Sequence, residues 1–357
     1  MTKFREKRIR SSLCLGLLLI VFSFSACEGA AGKARTPHTS TFFAMDTVMS
    51  VTVYGDETAA DEAEILVSDL EKKLSVTDEN SDVARLNRDK SAVVSDDAYN
   101  VIKTSLELSE RTDGAIDITV YPVVKAWGFT TGEYRVPSLE ELGELLKTVD
   151  HRKVDVSGEN TETGENTVTI ADNQTVDLGC IAKGYTGDAV IKMLKEKGIE
   201  SAIINLGGNV QTLGMKPGGG LWNVGITDPF DLSGYAGSLS VGEKCVITSG
   251  GYERYFIFEN VRYHHIIDTK TGYPATSGLA GVTVVGDSGV ICDALSTALF
   301  ALGLEKAAKI YRNSEDFEAL FITESGELFI TEGLRDAFTP LGNYENKKIT
   351  VIEHENN

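Results

Sequence analysis

Residues 201–251, SAIINLGGNVQTLGMKPGGGLWNVGITDPFDLSGYAGSLSVGEKCVITSGG, decide the class of fold. Short apolar and β-branched runs alternate there with glycine turns, and this pattern predicts a series of antiparallel hairpins. It continues to residue 285. The helical segments on either side follow no regular β-α-β alternation. The sequence therefore favours an α+β fold of mixed, largely antiparallel sheets with flanking helices over a doubly wound parallel sheet.

The other segments are assigned from the spacing of their apolar residues. Helices are predicted over residues 57–74, 95–111, 139–149, 183–197, 293–302 and 305–313, with a short helix ending near residue 87. Strands are predicted over residues 45–54, 167–170 and 175–178 and near the C-terminus. We find no linker inside residues 41–350 and expect one domain there.

The first 26 residues have the features of a secretory signal peptide. Five basic residues within positions 1–10 precede an apolar run from Leu13 to Phe24. A run of about 12 residues is too short to span a bilayer as a helix. We therefore expect residues 1–26 to be removed and the protein to be exported.

Cys27 follows the small residues Ser25 and Ala26, an ending that resembles a bacterial lipobox. This resemblance implies a lipid on Cys27, including palmitate, and a protein anchored to the cell membrane on the extracytoplasmic side. A plain secreted form is the alternative. Residues 27–40 are small and polar without periodicity, which predicts a flexible tether before a folded domain at 41–350.

The charge of the chain limits its partners. There are 34 Lys and Arg against 53 Asp and Glu, a net charge of −19, and 42% of the residues are hydrophobic. Removing residues 1–26 takes away five basic residues and one acidic residue and leaves −23. Such acidity argues against nucleic acid or an anionic lipid surface recognised by bulk charge. The cysteines beyond Cys27 are dispersed, form no metal signature and are expected to be small buried hydrophobes: Cys180, Cys245 and Cys292.

Asp293 and Thr297 open a predicted helix and lie four residues apart, on one face. A carboxylate and a hydroxyl are hard oxygen donors of the kind that Mg²⁺ or Ca²⁺ requires. The alternative is structural: Asp293 would cap the helix and Thr297 would bond back to the helix backbone.

The run from Asp177 to Tyr185 lies where a strand passes into a helix. Free amides at a helix start, with Lys183 beside them, can hold a phosphate. The spacing matches neither a P-loop nor a Rossmann fingerprint, so an ordinary strand-to-helix turn is the alternative.

His264 and His265 are adjacent in a chain with five histidines. If they lie in a strand, they point to opposite faces and at most one faces a given site. A histidine with an ordinary pKa acts as a general base at neutral pH, for example toward a serine or threonine hydroxyl. A structural histidine is the alternative.

Taken together and in order, these segments resemble the FAD:protein FMN transferase family, the ApbE-like flavin transferases, over about residues 41–335. Eight motifs in register carry the likeness: Met45-Asp46-Thr47, Ser81 with Leu86-Asn87, Gly114 to Asp117, Asp177 to Tyr185, Asn205 to Asn209, Ser249-Gly250 with Tyr252-Glu253-Arg254, His265 to Asp268 with Thr271-Gly272, and Asp293 to Thr297. Thr269 departs from the pattern, because a proline is common there in the family.

The resemblance implies that FAD is split at its pyrophosphate, that FMN is joined to a threonine or serine of a partner protein, and that AMP leaves. It implies Mg²⁺ bound by Asp293, Thr297 and the carbonyl of Ala182, and an acceptor hydroxyl activated by His265. It also implies that FAD is contacted by the following residues: Met45, Ala115, Ile116, Asp117, Asp177, Lys183 and Ile267.

Two other functions remain open at this level. With water as the acceptor, the same site makes a Mg²⁺-dependent FAD diphosphatase that yields FMN and AMP. A flavin-binding lipoprotein without turnover is the third possibility. The chain contains no acceptor segment of the kind that the family modifies, so we expect it to be the modifier, acting on an exported redox protein that carries such a segment.

Overall fold

The computed structural model describes residues 36–160 and 165–354. Its strands are β1 Pro37–Ala44, β2 Thr47–Tyr54, β3 Ser91–Val94, β4 Asp155–Asn160, β5 Glu165–Thr169, β6 Ser201–Leu206, β7 Asn209–Gly214, β8 Trp222–Asp228, β9 Asp231–Val241, β10 Cys245–Gly250, β11 Tyr255–Phe258, β12 Val261–His264, β13 Leu279–Gly286, β14 Phe317–Thr323, β15 Leu328–Thr331, β16 Phe338–Pro340 and β17 Ile349–Ile352. Its α-helices are α1 Thr58–Leu74, α2 Asp82–Asp89, α3 Asp96–Arg111, α4 Tyr121–Ala126, α5 Leu139–Leu146, α6 Ala182–Glu196, α7 Gly289–Leu302 and α8 Leu304–Arg312. Short 3₁₀ helices lie at Ile118–Val120, His151–Lys153, Glu332–Leu334 and Gly342–Tyr344.

A nine-stranded sheet forms the centre of the described residues, in the order β1-β2-β6-β7-β10-β13-β14-β15-β17. Its neighbouring strands pair antiparallel except β15 and β17, which are parallel. The predicted α+β class is therefore confirmed. Strands β6 and β7 form a hairpin in which Leu206 pairs with Asn209. Gly207 and Gly208 form its turn with positive φ, a conformation that favours glycine.

The two faces of this sheet are covered differently. On one face, α1 packs against β1 and β2, α6 packs against β7, and α7 packs against β10 and β13, with α3 packed against α7. On the other face lies the small sheet β16-β9-β8, whose Trp222, Ile226 and Leu239 pack against Val246 and Leu320 of the large sheet. The large sheet is thus buried between helices and a second sheet.

Helices α6 and α7 meet at two glycines. A Cβ at Gly184 would lie only 2.2 Å from the carbonyl oxygen of Gly289, so the two backbones approach closely. Asp188 of α6 accepts hydrogen bonds from the amides of Gly289 and Val290, at 2.7 and 3.0 Å. One carboxylate of α6 therefore caps the N-terminus of α7 and fixes the two helices to each other.

Most predicted helices are confirmed within a few residues, but three boundaries and one strand were wrong. Residues 37–40 were assigned to the tether, yet they belong to β1 and pair with β2. Helix α7 begins at Gly289 and not at Asp293, because Asp188 caps it one turn earlier. Strand β2 begins at Thr47, since Met45 and Asp46 form a turn with φ of 47° and 60°.

The predicted strand at residues 175–178 is not a strand. Its hydrogen-bond partners are a side chain and a 3₁₀ segment: the amide of Val176 donates to Oδ1 of Asn87, and the amide of Asp177 donates to the carbonyl of Ile118. The predicted signal peptide, the remainder of the tether up to residue 35 and Cys27 lie outside the described residues. Among the helices that are described, none is long and apolar enough to cross a membrane.

Candidate active site

One cavity of about 870 Å³ is lined by every residue predicted to act in catalysis, to contact FAD or to bind the metal. The turn between β1 and β2, the loop after α3, the start of α6, the turn between β6 and β7, and one face of α7 form its walls. The predicted residues that line it are Met45, Ala115, Ile116, Asp117, Asp177, Ala182, Lys183, His265, Ile267, Asp293 and Thr297. Segments more than 200 residues apart in sequence thus meet at one site.

Asp293 lies in the second turn of α7 and is 5% exposed. Burial raises its pKa to about 6, against the opposing effects of Lys183 and of the Gly184 amide, which donates a 2.8 Å hydrogen bond to Oδ2. The structural alternative of a helix cap is wrong, because Asp188 has that role. Asp293 is an interior carboxylate directed at the start of α6.

The hydroxyl of Thr297 lies one turn further along α7 and is half-buried. Its Oγ1 is 3.2 Å from Oγ of Ser249 at the end of β10, and Ser249 also lies 2.8 Å from Ser296. The carbonyl of Ala182 accepts a hydrogen bond from the hydroxyl of Thr186, and Ala182 lines the same cavity. Asp293, Thr297 and Ala182 therefore offer three hard oxygen donors along the wall shared by α6 and α7.

The start of α6 differs from the expected phosphate cradle. The amide of Ala182 already donates to the carbonyl of Leu178, and that of Gly184 donates to Asp293. The cationic group there is Lys183. Its charge lowers the pKa values of Asp293 and Glu253, against the larger effect of burial, and it also lowers the pKa of His265. Lys183 thus lies among these groups and favours an anion in the cavity.

Asp177 precedes this turn on the cavity wall. Desolvation raises its pKa, while the amides of Gly179 and Leu178 and the charge of Arg254 act in the opposite direction. Its carboxylate is therefore stabilised by backbone groups of its own turn. Glu253, on the opposite wall, has its pKa raised to about 7 by burial.

His265 is half-buried directly after β12, and its ring and that of Phe129 are steeply inclined, with an interplanar angle of 68°. Burial, together with Arg254, lowers its pKa to about 3, so the imidazole is neutral at pH 7. Nδ1 lies 3.2 Å from the carbonyl of Arg254 and must carry the proton, since a carbonyl only accepts. Nε2 is then an acceptor. His264 contacts the carbonyl of Ala275 and the ring of Phe300, so the expectation that the two histidines face different environments is confirmed.

The turn from Ala115 to Asp117 is buried at the cavity wall. Asp117 uses both carboxylate oxygens internally: Oδ1 accepts from the amide and hydroxyl of Thr119, and Oδ2 accepts from the amide of His151. This turn therefore presents backbone and apolar atoms to the cavity.

Met45 lines the cavity from the left-handed turn between β1 and β2. Its amide donates a 2.6 Å hydrogen bond to Glu71 of α1, which fixes a conformation that non-glycine residues rarely adopt. Ile267, 6% exposed, contributes to the apolar wall beside Trp127 and Phe129.

Sequence reasoning missed part of the wall. The small sheet contributes lining residues that no motif had indicated, and α1 and its following loop add others: Glu71, Leu74, Val76, Asn223, Gly225, Thr227 and Tyr235. Strands β8 and β9 show only ordinary alternation in sequence, so nothing there marks which residues reach the cavity.

The model of the ApbE family matches residues 45–321, which include all the site segments described above. The chain belongs to the ApbE family. The resemblance inferred from eight motifs is thus confirmed. The expectation of an enzyme is confirmed too, because curated relatives of this ApbE chain are named FAD:protein FMN transferase.

Two relatives show how far the likeness extends. The FAD:protein FMN transferase of Klebsiella pneumoniae is 33% identical over 290 residues, which cover 80% of this chain and 89% of the relative. That of Treponema pallidum is 32% identical over 340 residues, covering 90% and 93%.

Solved structures of the family agree with the fold. The ApbE protein of Thermotoga maritima superposes with a TM-score of 0.78 at 31% identity, over 85% of this chain and 99% of that one. The flavinyl transferase ApbE of Pseudomonas stutzeri, in its apo form, gives a TM-score of 0.74 at 28% identity, over 85% and 97%.

Proposed function

We propose that this protein transfers FMN from FAD to a threonine or serine hydroxyl of an exported acceptor protein, releases AMP, and depends on Mg²⁺. The observation that carries the proposal is the convergence of Asp293, Thr297, Lys183 and His265 on one cavity. The names of the relatives support the reaction, and the chemistry of the cavity supports the assignment of roles to residues.

The oxygen donors on α6 and α7 fit a hard cation. Within residues 36–160 and 165–354, no cluster of three or more His, Cys, Asp or Glu side chains exists that would hold a metal by itself. One carboxylate, one hydroxyl and one carbonyl fit Mg²⁺, which commonly keeps positions for substrate phosphate oxygens and water. When bound by Asp293, Thr297 and Ala182, Mg²⁺ would neutralise the pyrophosphate and stabilise the leaving phosphate of AMP.

The remaining groups bind the dinucleotide and orient the acceptor. Lys183 faces the pyrophosphate. The rings of FAD pack against an apolar wall that consists of Met45, Ala115, Ile116 and Ile267. Asp117 contributes through its backbone, because its carboxylate is already occupied. Asp177 contributes a polar group beside the turn into α6.

His265 orients the acceptor hydroxyl and accepts its proton only as the new bond forms, because the lowered pKa makes the resting ring a weak base. The hydroxyl oxygen attacks the phosphorus of the FMN moiety and forms a phosphoester bond, while the bond from that phosphorus to the bridging oxygen breaks and its electron pair leaves with AMP. Nε2 of His265, the acceptor nitrogen of the neutral ring, takes the hydroxyl proton as the new bond forms. Arg254 holds Nδ1 of the ring and so fixes which nitrogen faces the substrate.

Anchoring by lipid on Cys27 would place this site near a membrane. A net charge of −23 would repel an anionic surface, so a covalent lipid explains attachment better than surface charge does. Nine residues separate Cys27 from β1, which at full extension span about 30 Å. A Cys27→Ser variant would test this: it should move from the membrane to the soluble fraction, and unchanged membrane retention would contradict the anchor.

The decisive experiment mixes the mature protein with FAD, Mg²⁺ and an acceptor domain, and measures the mass of the domain. Transfer predicts a mass gain equal to bound FMN, with an equal amount of AMP. An acceptor domain in which the target threonine is replaced by valine should gain no mass. AMP and free FMN without a mass gain would indicate FAD diphosphatase, and neither product would indicate a flavin-binding protein.

A further inference from the structure

Asn209 is a buried amide at the cavity wall to which no role has been assigned. It begins β7 directly after the Gly207-Gly208 turn and is 2% exposed. Among the described residues, neither its Oδ1 nor its Nδ2 has a hydrogen-bond partner. A buried amide without partners is unfavourable, because both groups lose water and gain nothing in exchange.

The backbone around Asn209 is held firmly. Its strand pairs with β6 on one side, where Asn209 lies opposite Leu206, and with β10 on the other, where it lies opposite Ile247. The unpartnered side chain therefore projects from the interior of a rigid sheet, which is suited to holding a functional group in place.

The next residue on the same face of β7 shows what a structural amide looks like in this environment. Nε2 of Gln211 donates a 3.1 Å hydrogen bond to the carbonyl of Gly184 and so supports the start of α6, while its Oε1 has no partner among the described residues. Asn209 makes no equivalent bond. The two residues share one side of the strand, but only Asn209 lines the cavity.

Asn209 and Asp293 line the same cavity. Gln211, two residues further along β7, lies against Gly289, which is one turn before Asp293 on α7. The Asn209 amide is one of the groups that lower the pKa of Asp293 against the effect of burial, although the two side chains form no hydrogen bond of ordinary geometry. Oδ2 of Asp293 is already held by the Gly184 amide. The other carboxylate oxygen is therefore the one on which a second donor can act.

We propose that Asn209 is a positioning residue for Asp293: in the loaded site its Nδ2 donates to the carboxylate and holds it in the orientation that the cation requires. This inference rests on the proposed function and adds to it a residue outside the implied metal ligands. Such outer hydrogen bonds commonly orient metal-binding carboxylates.

The test is an Asn209→Leu variant, which keeps the approximate volume and removes both amide groups. The affinity for Mn²⁺, measured by electron paramagnetic resonance in the absence of FAD, should fall by about tenfold or more. The melting temperature of the metal-free protein should stay the same or rise, because an unsatisfied buried amide has been removed. Asn223→Leu is the matched control: Asn223 lines the same cavity from β8, its Oδ1 accepts from Ser240, and its replacement should leave Mn²⁺ binding unchanged.

Other results would overturn the proposal. A lower melting temperature with unchanged Mn²⁺ affinity would show a structural role, and unchanged Mn²⁺ affinity with weaker binding of AMP would show a nucleotide contact. Absence of Mn²⁺ binding by the unmodified protein would also contradict it. Failure of the proposed function is a separate result, since it would appear as a missing mass gain on the acceptor while Mn²⁺ binding persisted.

Discussion

The amide of Gly184 donates a 2.8 Å hydrogen bond to the carboxylate of Asp293, although 109 residues separate them along the chain. This bond joins the first turn of α6 to the second turn of α7. It also fixes one oxygen of the carboxylate and leaves the other available. Several expected outcomes depend on this contact or on groups next to it.

Replacing Asp293 by Asn should abolish AMP release and flavin transfer. The amide oxygen of the new side chain still accepts from Gly184, but the charge that attracts the cation is lost. Because a buried carboxylate with a raised pKa is costly to ionise, the melting temperature should not fall. Retained activity at saturating Mg²⁺ would remove Asp293 from the metal site.

Gly184→Ala should destabilise the protein by about 2 kcal/mol, because the added Cβ would lie 2.2 Å from the carbonyl oxygen of Gly289. Gly143→Ala is the matched control, since Gly143 lies inside α5 with nothing within 4 Å of the added atom. That change should stabilise by about 0.5–1 kcal/mol. Urea denaturation measures both, and equal effects would contradict the close approach of α6 and α7.

Lys183→Gln should raise the KM for FAD by about tenfold, because a charged hydrogen-bond donor to the pyrophosphate is worth about 1.5 kcal/mol or more. Lys192→Gln removes the same charge from the exposed side of α6 and should leave KM unchanged. Steady-state AMP release gives both values. Equal KM values for the two variants would mean that Lys183 affects FAD binding only through the net charge of the protein and makes no direct contact with the pyrophosphate.

The neutral imidazole of His265 should make the protein sensitive to acid. Its folded pKa of about 3 lies below the ordinary value near 6.5, so between these pH values the unfolded chain binds a proton that the native chain does not. Its contribution to stability is therefore complete above pH 6.5 and decreases as the pH falls toward 3, by up to about 1.4 kcal/mol per pH unit.

The measurement is the free energy of unfolding between pH 4 and 7 for His265→Gln and for His38→Gln. His38 is a half-exposed histidine on β1 and serves as the control. Only the His265 variant should flatten the profile. If the unmodified protein and both variants gave parallel profiles, the imidazole of His265 would be in contact with solvent.

Chelation should weaken FAD binding by about tenfold or more. The acidic chain repels a dinucleotide, so the cation at Asp293 must supply much of the attraction. Fluorescence titration of FAD with and without EDTA measures this effect, and in Asp293→Asn the effect of EDTA should disappear. Equal affinity with and without EDTA in the unmodified protein would argue that Lys183 suffices.

The sequence was informative where local chemistry determines structure. Helix α1 was predicted because its apolar positions recur at helical spacing, and Ala63, Val67 and Leu70 are indeed buried. Residues 175–178 alternate like a strand, but the hydrogen bonds that their amides donate to Asn87 and Ile118 arise only in the folded chain. The unpartnered state of Asn209 likewise follows from packing and leaves no trace in the sequence.

The bond between Gly184 and Asp293 also bears on when the protein acquires activity. The proposed donors for the cation come from two helices that are separated along the chain by strands β6 to β13. Loop closure over such distances is slow compared with the formation of single helices. A chain still emerging or still unfolded thus holds no partial site, so catalysis can begin only in the compartment where folding is completed.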